Sequence, residues 1–252
     1  MQPARAENIN NIFFDGYYKE IWRSLIPEGL TAAEVDFLLD QANLKPGSKV
    51  LDLMCGYGRH ALALGRKGIQ VTAIDNLSEY VKEITEIAER EMLPVTCIQA
   101  DVIEYEPAEA FDVAICLGNN LSFFDKKDTG KFFFTIASHL RKGGLFIANS
   151  WTIAEIVFKS FTPKTWSEIN GLKYLAESKI SFHPTRMETE MTIILADRSE
   201  EKKKAVDYIY SLNEFAVALE DAGFSVRDMW SIPGKKKFSF GEPRIYVVAE
   251  KT

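Results

Sequence analysis

Three acids stand where apolar runs stop: Asp52 inside VLDLM, Asp75 at the end of VTAID, and Asp101 just after VTCIQ. Between the first two, the chain turns through Gly56 and Gly58. A GxG turn after a buried strand lets backbone approach a ligand, because neither glycine has a side chain to hold it away, and the next helix points its N-terminus into the same crevice. An acid about 20 residues beyond the first glycine is at the spacing of a carboxylate that accepts from ribose hydroxyls. Together these residues describe a site for an adenosine-type ligand.

GYGRHA also fits the GxGxxA form of a dinucleotide fingerprint, so an NAD-dependent oxidoreductase is a competing reading. Three features oppose it. Asp52, four residues before Gly56, can face a cationic or amine-bearing ligand but would repel a pyrophosphate. No second domain supplies the His or Lys acid-base set that hydride transfer to a carbonyl requires. The last strand is expected to be antiparallel, unlike a plain dinucleotide sheet. A third reading is a protein that binds the nucleoside without turnover.

Candidates for contact with a second substrate are Asn119 and Asn120 at the end of FDVAICLGNN, and Tyr18 on a first helix; Trp22, on the same face at i, i+4 spacing, is a candidate for the ligand tail. Tyr17 is a further candidate for the ligand tail. His183, Arg186 and Arg244 are weaker candidates. His60 is expected to face solvent or make a local hydrogen bond, His139 to sit on a helix face, and His183 to occupy a hairpin turn.

The elements that must position these residues follow from periodicity. Two helical patterns, Asp15 to Leu25 and Thr31 to Ala42, precede the first strand, the second opened by Thr31 with Glu34 as a capping box. From Val50, VLDLM, VTAID, VTCIQ, FDVAICL and LFIANS alternate with helical stretches. Strands this apolar have no wet face and predict a parallel sheet covered by helices on both sides. After Trp151 the grammar changes: LKYLAESKISF and RMETEMTIIL alternate polar and apolar residues around HPT, and AVDYIYSL follows a charged turn, SEEKKK. LNEFAVALEDAG resumes the first pattern, capped by Ser211 with Glu214 and ended by Gly223. The loop GKKKFSFGEP between the last two strands is too short for a helical crossover, so the final strand runs antiparallel.

The expected architecture is therefore an α/β, doubly wound, seven-stranded, mostly parallel sheet with an antiparallel last strand and a small inserted antiparallel sheet. Residues 1–45 form an N-terminal helical lid, 46–150 and 211–252 the ligand-binding core, and 151–210 an inserted β cap or dimer surface. Residues 1–252 make a single domain, monomeric or homodimeric.

A net charge of −6 opposes a protein that lives on phosphate backbones, which takes many uncompensated Lys and Arg. Cys55, Cys97 and Cys116 have neither CxxC spacing nor a nearby His, and read as buried, reduced thiols with no metal. No apolar run of membrane-spanning or signal length occurs, so a soluble, cytoplasmic protein without membrane or nucleic-acid partners is expected.

VLDLMCGYGRHALAL, VTAIDN, QADVIEY and FDVAICLGNN resemble, in order and spacing, the four motifs of the class I S-adenosylmethionine-dependent methyltransferases, over about residues 45–150. The resemblance implies a Rossmann-like methyltransferase fold and a small-molecule N- or O-methyltransferase using S-adenosylmethionine, with S-adenosylhomocysteine as product. It places Asp52 and the turn from Cys55 through Gly56 to Gly58 around the methionine part, with Asp75 on both ribose hydroxyls. Asn76 and Leu77 fall beside the adenine, Asp101 on its amino group with Val102 packed nearby, and Leu117 and Gly118 along the methyl donor. LGNNLSFF resembles the GNSF segment of glycine and amino-sugar N-methyltransferases, but here Asn120 and Leu121 precede Ser122, so no acceptor carries over. The [DN]PP[YF] motif of base-amino methyltransferases is absent, which weakens nucleic acid as the acceptor.

Overall fold

The computed structural model describes residues 8–106 and 109–252. A 3₁₀ turn, Ile9–Ile12, leads into α1 (Tyr18–Leu25) and α2 (Leu30–Gln41). Then follow β1 (Lys49–Leu53), α3 (Arg59–Gly65), β2 (Gln70–Asp75), α4 (Ser78–Arg90), β3 (Val95–Gln99) and β4 (Phe111–Cys116). A second 3₁₀ turn, Asn120–Phe123, precedes α5 (Lys126–His139), β5 (Leu140–Ser150) and α6 (Ala154–Ser160). Four strands come next: β6 (Lys164–Ile169), β7 (Leu172–Ser181), β8 (Arg186–Ile194) and β9 (Glu200–Tyr208). The chain closes with α7 (Leu212–Asp221), β10 (Phe224–Ile232), β11 (Lys236–Lys237) and β12 (Ile245–Lys251).

The main sheet has the order β11-β10-β12-β5-β4-β1-β2-β3. β3, β2, β1, β4 and β5 pair in parallel, and β12 enters antiparallel between β5 and β10. The seven expected strands are joined by the two-residue β11, an eighth. Chain order reverses between β1 and β4, which opens a crevice at their carboxyl ends, where ligands bind in such sheets. One apolar layer, with Phe132, Phe133, Phe146 and Phe215, covers one face, and another, with Val35, Leu38, Leu64 and Ile84, covers the other. That two-sided burial is why the strands read as unbroken apolar runs.

β6 to β9 form a separate antiparallel sheet in sequential order. α1 packs on it through a third layer in which Tyr18 and Ile21 meet Met191, Ile193 and Ala205. The expected charged turn SEEKKK is instead mostly strand: Glu200 to Lys204 lie in β9, paired with β8. Period-2 alternation explains it, since Lys202 and Lys204 point to solvent while the Lys203 side chain is 8% exposed and ion-paired with Asp15.

Local chemistry fixes several boundaries. α7 begins with the expected capping box, Ser211 Oγ accepting from the Glu214 N–H while the Glu214 carboxylate accepts from the Ser211 N–H. The capping box expected at Thr31 does not form: α2 starts one residue earlier behind Gly29, at φ 77°, and Glu34 turns away into the core. The first helix is also shorter than its pattern, beginning at Tyr18 rather than Asp15. Among the described residues no helix is long and apolar enough to cross a membrane. The three cysteines are free, Cys55 and Cys116 buried but Cys97 only partly so.

Candidate functional site: two cavities meeting at Gly118

A cavity enclosing about 990 Å³ with its open mouth lies over the carboxyl ends of β1, β2 and β4. Asp75 ends β2 and reaches back to the turn after β1. Its Oδ2 accepts from the Gly56 N–H at 2.8 Å and its Oδ1 from the Leu77 N–H at 3.0 Å. Burial pushes its carboxyl up, against the backbone N–H groups of Leu77, Gly56 and Asn76, which favour the charged form. Cys55, Gly56, Asn76, Leu77, Asp101, Val102, Leu117, Gly118 and Asn120 line the same space. A Cβ built on Gly56 meets nothing within 4 Å, so the backbone there faces open room.

Asp52 lies behind that wall, 1% exposed, its Oδ2 without a hydrogen-bond partner. Burial, reinforced by the charge of Asp75 and opposed by Arg59, pushes its carboxyl up to about 7. An acid held in that state sits ready to respond to a nearby cation.

Several expected residues stand elsewhere. Gly58, at φ 75°, caps α3, and a Cβ on it would fall 2.5 Å from Ile84 Cγ1; its role is close packing against α4, not ligand contact. Tyr17 is 45% exposed and lines neither cavity, whereas its neighbour Tyr18 is buried. Asn119 borders a second, adjoining cavity, while its amide is occupied with structure. Its Oδ1 accepts from Ser150 Oγ and the N–H groups of Trp151 and Thr152, and its Nδ2 donates to Thr152 Oγ1 at 2.7 Å, which fixes the exit from β5. Asn149 Oδ1 accepts from the Gly118 and Asn119 N–H groups, holding the turn after β4 from the other side. Asn120 stays in the first cavity and donates to the Met54 carbonyl at 3.0 Å.

The sequence reading missed the supports. Glu34, 1% exposed, accepts from Arg59 Nη1 at 2.5 Å and from Tyr246 OH at 2.7 Å, and shares a proton position with His60 Nε2 at 2.9 Å. Burial alone would raise its carboxyl; His60 and then Arg59, each by hydrogen bond and by charge, outweigh burial and hold it at about 2. Burial lowers His60, with the hydrogen bond to Glu34 opposing. His60 is therefore neither solvent-facing nor on its own; with Arg59 and Glu34 it ties α2, α3 and β12 together beside the cavity. A 3.6-residue reading could have found Glu34, which falls among the buried positions of α2 beside Val35 and Phe37.

The N-terminal segment closes one side. Asn11 O accepts from Asn76 Nδ2, Phe14 O from Tyr80 OH, and Phe123 O from Asn8 Nδ2. Asn10 exchanges two hydrogen bonds with the Val206 backbone of β9, so the segment clips the two sheets to each other.

A second cavity, about 1190 Å³, adjoins the first and shares Phe14, Trp22, Gly118 and Phe123 with it. Its remaining walls are Phe13, Tyr18 and Asn119, the segment from Trp151 to Thr165, and the inner face of β7, β8 and β9. A nucleoside in the first cavity and a second molecule in the other would meet at Gly118.

Comparison with known proteins agrees with this architecture. Residues 50–144 match the family model of a methyltransferase domain. The chain is 30% identical over 97 residues to an S-adenosyl-L-methionine-dependent Diels-Alderase of Neonectria sp., covering 38% of this chain and 39% of that protein. It is also 30% identical over 102 residues to the ubiquinone biosynthesis O-methyltransferase of Rickettsia prowazekii, covering 40% of this chain and 39% of the relative. The chain thus aligns with about two fifths of the length of these relatives. In fold it superposes on the crystal structure of an S-adenosylmethionine-dependent methyltransferase from Clostridium acetobutylicum with a TM-score of 0.80 at 18% identity, over 93% of this chain and 96% of that one.

Proposed function

From the premise that residues 50–144 form a methyltransferase domain of the class I fold, we propose that the protein transfers a methyl group from S-adenosylmethionine to a nitrogen or oxygen of a small molecule. The observation that carries this reading is the pair of cavities: one bordered by Asp75 and Asp101 with Asp52 behind it, the other aromatic, joined at Gly118.

The residues fit the cofactor. Asp75 has lone pairs left for two ribose hydroxyls after accepting from Gly56 and Leu77, and Asp101 with Val102 borders the adenine end. The open backbone of Gly56 leaves room for the chain that continues toward Gly118. Asp52, with its orphaned oxygen, answers the positive charge of the ammonium and sulfonium, and Arg59 in the cavity wall answers the carboxylate. When bound, the sulfonium supplies an already activated methyl electrophile. The chain's own task is then to align an acceptor lone pair behind the methyl and to exclude water, and such alignment is worth about 7–11 kcal/mol. In this reading, 46–150 and 211–252 are the cofactor-binding core, 151–210 the acceptor cap and 1–45 a lid over both. The Diels-Alderase among the relatives makes turnover the point to test.

Calorimetric titration of the purified chain with S-adenosylhomocysteine and, separately, with NAD separates the readings. Saturable binding of the first with a Kd well under about 1 mM, and none of the second, is expected. Binding of NAD alone would replace this proposal with an oxidoreductase, and binding without methyl release to any acceptor would leave a cofactor-dependent protein of other chemistry.

A further inference from the structure

The second cavity carries a single charged side chain among its described lining residues, Asp207 on β9. It is nine-tenths buried, and Ser122 Oγ lies 2.6 Å from its Oδ1. That hydroxyl is also 2.9 Å from the Asn119 carbonyl, one residue from Gly118, so its single hydrogen serves either acceptor and Asp207 stands one side chain away from the junction of the cavities. Much of the remaining wall is aromatic, with Phe13, Tyr18, Trp22, Trp151, Phe161 and Tyr174, and between the rings stand methionines and the neutral hydroxyls of serines and threonines. No Lys, Arg or His lines the space among the described residues, so nothing in the cavity neutralises the carboxylate. The titratable groups facing it are Tyr18 from α1 and Tyr174 from β7, both pushed up by burial and neutral over the working range.

A buried acid without a counter-charge, in a cavity that also presents aromatic rings, is costly until a cation arrives, and ring faces attract that cation as well. We propose that the second cavity selects acceptors that carry a basic amine on an apolar or aromatic body, with Asp207 as the residue that binds the ammonium and so determines acceptor specificity. This deepens the function proposed above and rests on it. It assigns the class of molecule and not the methylated atom, since an ammonium held by Asp207 has no lone pair to offer the methyl group. Burial pushes the Asp207 carboxyl up to about 6, Ser122 opposing, so the anchor is charged at pH 7.5 and largely lost at pH 5.

The test uses the full chain saturated with S-adenosylhomocysteine and two matched pairs, 2-phenylethylamine with 2-phenylethanol and tryptamine with tryptophol, titrated by calorimetry. At pH 7.5 each amine should bind at least about tenfold more tightly than its alcohol. Asp207→Asn should reduce that preference to under about twofold while S-adenosylhomocysteine affinity and melting temperature hold. Wild type should lose the preference at pH 5, and Asp207→Asn should show no such pH change; the wild-type arm keeps the test decisive if the variant misfolds. Equal binding of amine and alcohol at pH 7.5, failure of both amines to bind, or a preference retained by Asp207→Asn would overturn the proposal. Failure of S-adenosylhomocysteine itself to bind would instead remove the methyltransferase reading, and the same pairs titrated into the unliganded chain would still report on Asp207.

Discussion

The two cavities share a doorway but are built by opposite means. The first is made at the carboxyl ends of the parallel strands, mainly from the turns and carboxylates between Met54 and Phe124, with the N-terminal segment closing one side. The second gathers its walls from the N-terminal helix, the segment after β5 and three strands of the antiparallel sheet, with aromatic faces and one acid. The difference implies a division of labour. The first cavity recognises by placed charge and hydrogen bonds, so one substitution should remove one contact. The second recognises by shape, with a single electrostatic anchor.

Asp52 is where that contrast breaks most sharply. Its carboxyl is raised from 3.8 to about 7 in the folded chain, so the folded state favours the protonated acid. The stability this gives is complete below about pH 4 and is lost as pH rises through 7; three pH units bound it at about 4 kcal/mol. Asp52→Asn, which cannot ionise, should therefore melt several degrees higher than wild type at pH 8 without ligand, with the gain vanishing near pH 4. The same variant should bind S-adenosylhomocysteine more weakly at pH 8. A melting temperature that does not differ between the two at pH 8 would mean that Asp52 bears no unpaired charge there.

Asp75 sharpens the contrast with a smaller, local loss. Asp75→Ala removes a charge-assisted acceptor from the cavity and leaves the Gly56 and Leu77 N–H groups without their partner. Nucleoside binding should weaken by about 1.5–3 kcal/mol, roughly 10- to 150-fold, measured by the same titration. Unchanged affinity would take Asp75 out of the site.

The same division decides what the sequence could reveal. Acids that end buried strands stand out because unpaired charge is rare at the edge of an apolar run, so Asp52, Asp75 and Asp101 were legible together with the sheet that carries them. Adjacent residues with divided roles were not. Asn119 and Asn120 follow one another, yet the second lines the first cavity and the first lines the second cavity with its amide spent on Ser150, Trp151 and Thr152. Gly56 and Gly58 share one fingerprint, but one faces open room and the other packs on Ile84. β6 escaped notice because it is exposed almost throughout and so shows no alternation. Asp207 escaped because period-2 alternation marks a strand's inner face without saying what that face looks onto. The partners of Asp207, Ser122 and the aromatic wall, lie far away in the chain; the 3₁₀ turn Asn120–Phe123 brings Ser122 to β9, and the packing of α1 on the second sheet brings Tyr18.

The smallest effect tests the second cavity's dependence on shape. Trp151 lines it but not the first, its ring 6.1 Å from that of Trp22, which borders both. Its backbone N–H is held by Asn119 regardless of side chain, so truncation should leave the β5 exit intact. Trp151→Ala should weaken binding of an aromatic amine by about 1 kcal/mol, since an aromatic pair contributes about 0.5–1.5 kcal/mol beyond the area it buries. Because the loss is of contact area and not of charge, 2-phenylethylamine and 2-phenylethanol should weaken equally, leaving the preference set by Asp207 in place. S-adenosylhomocysteine affinity should not move. If truncation instead weakened the nucleoside as much as the amine, the two cavities would act as one, and the wall they share at Trp22 and Gly118 would be the recognising element.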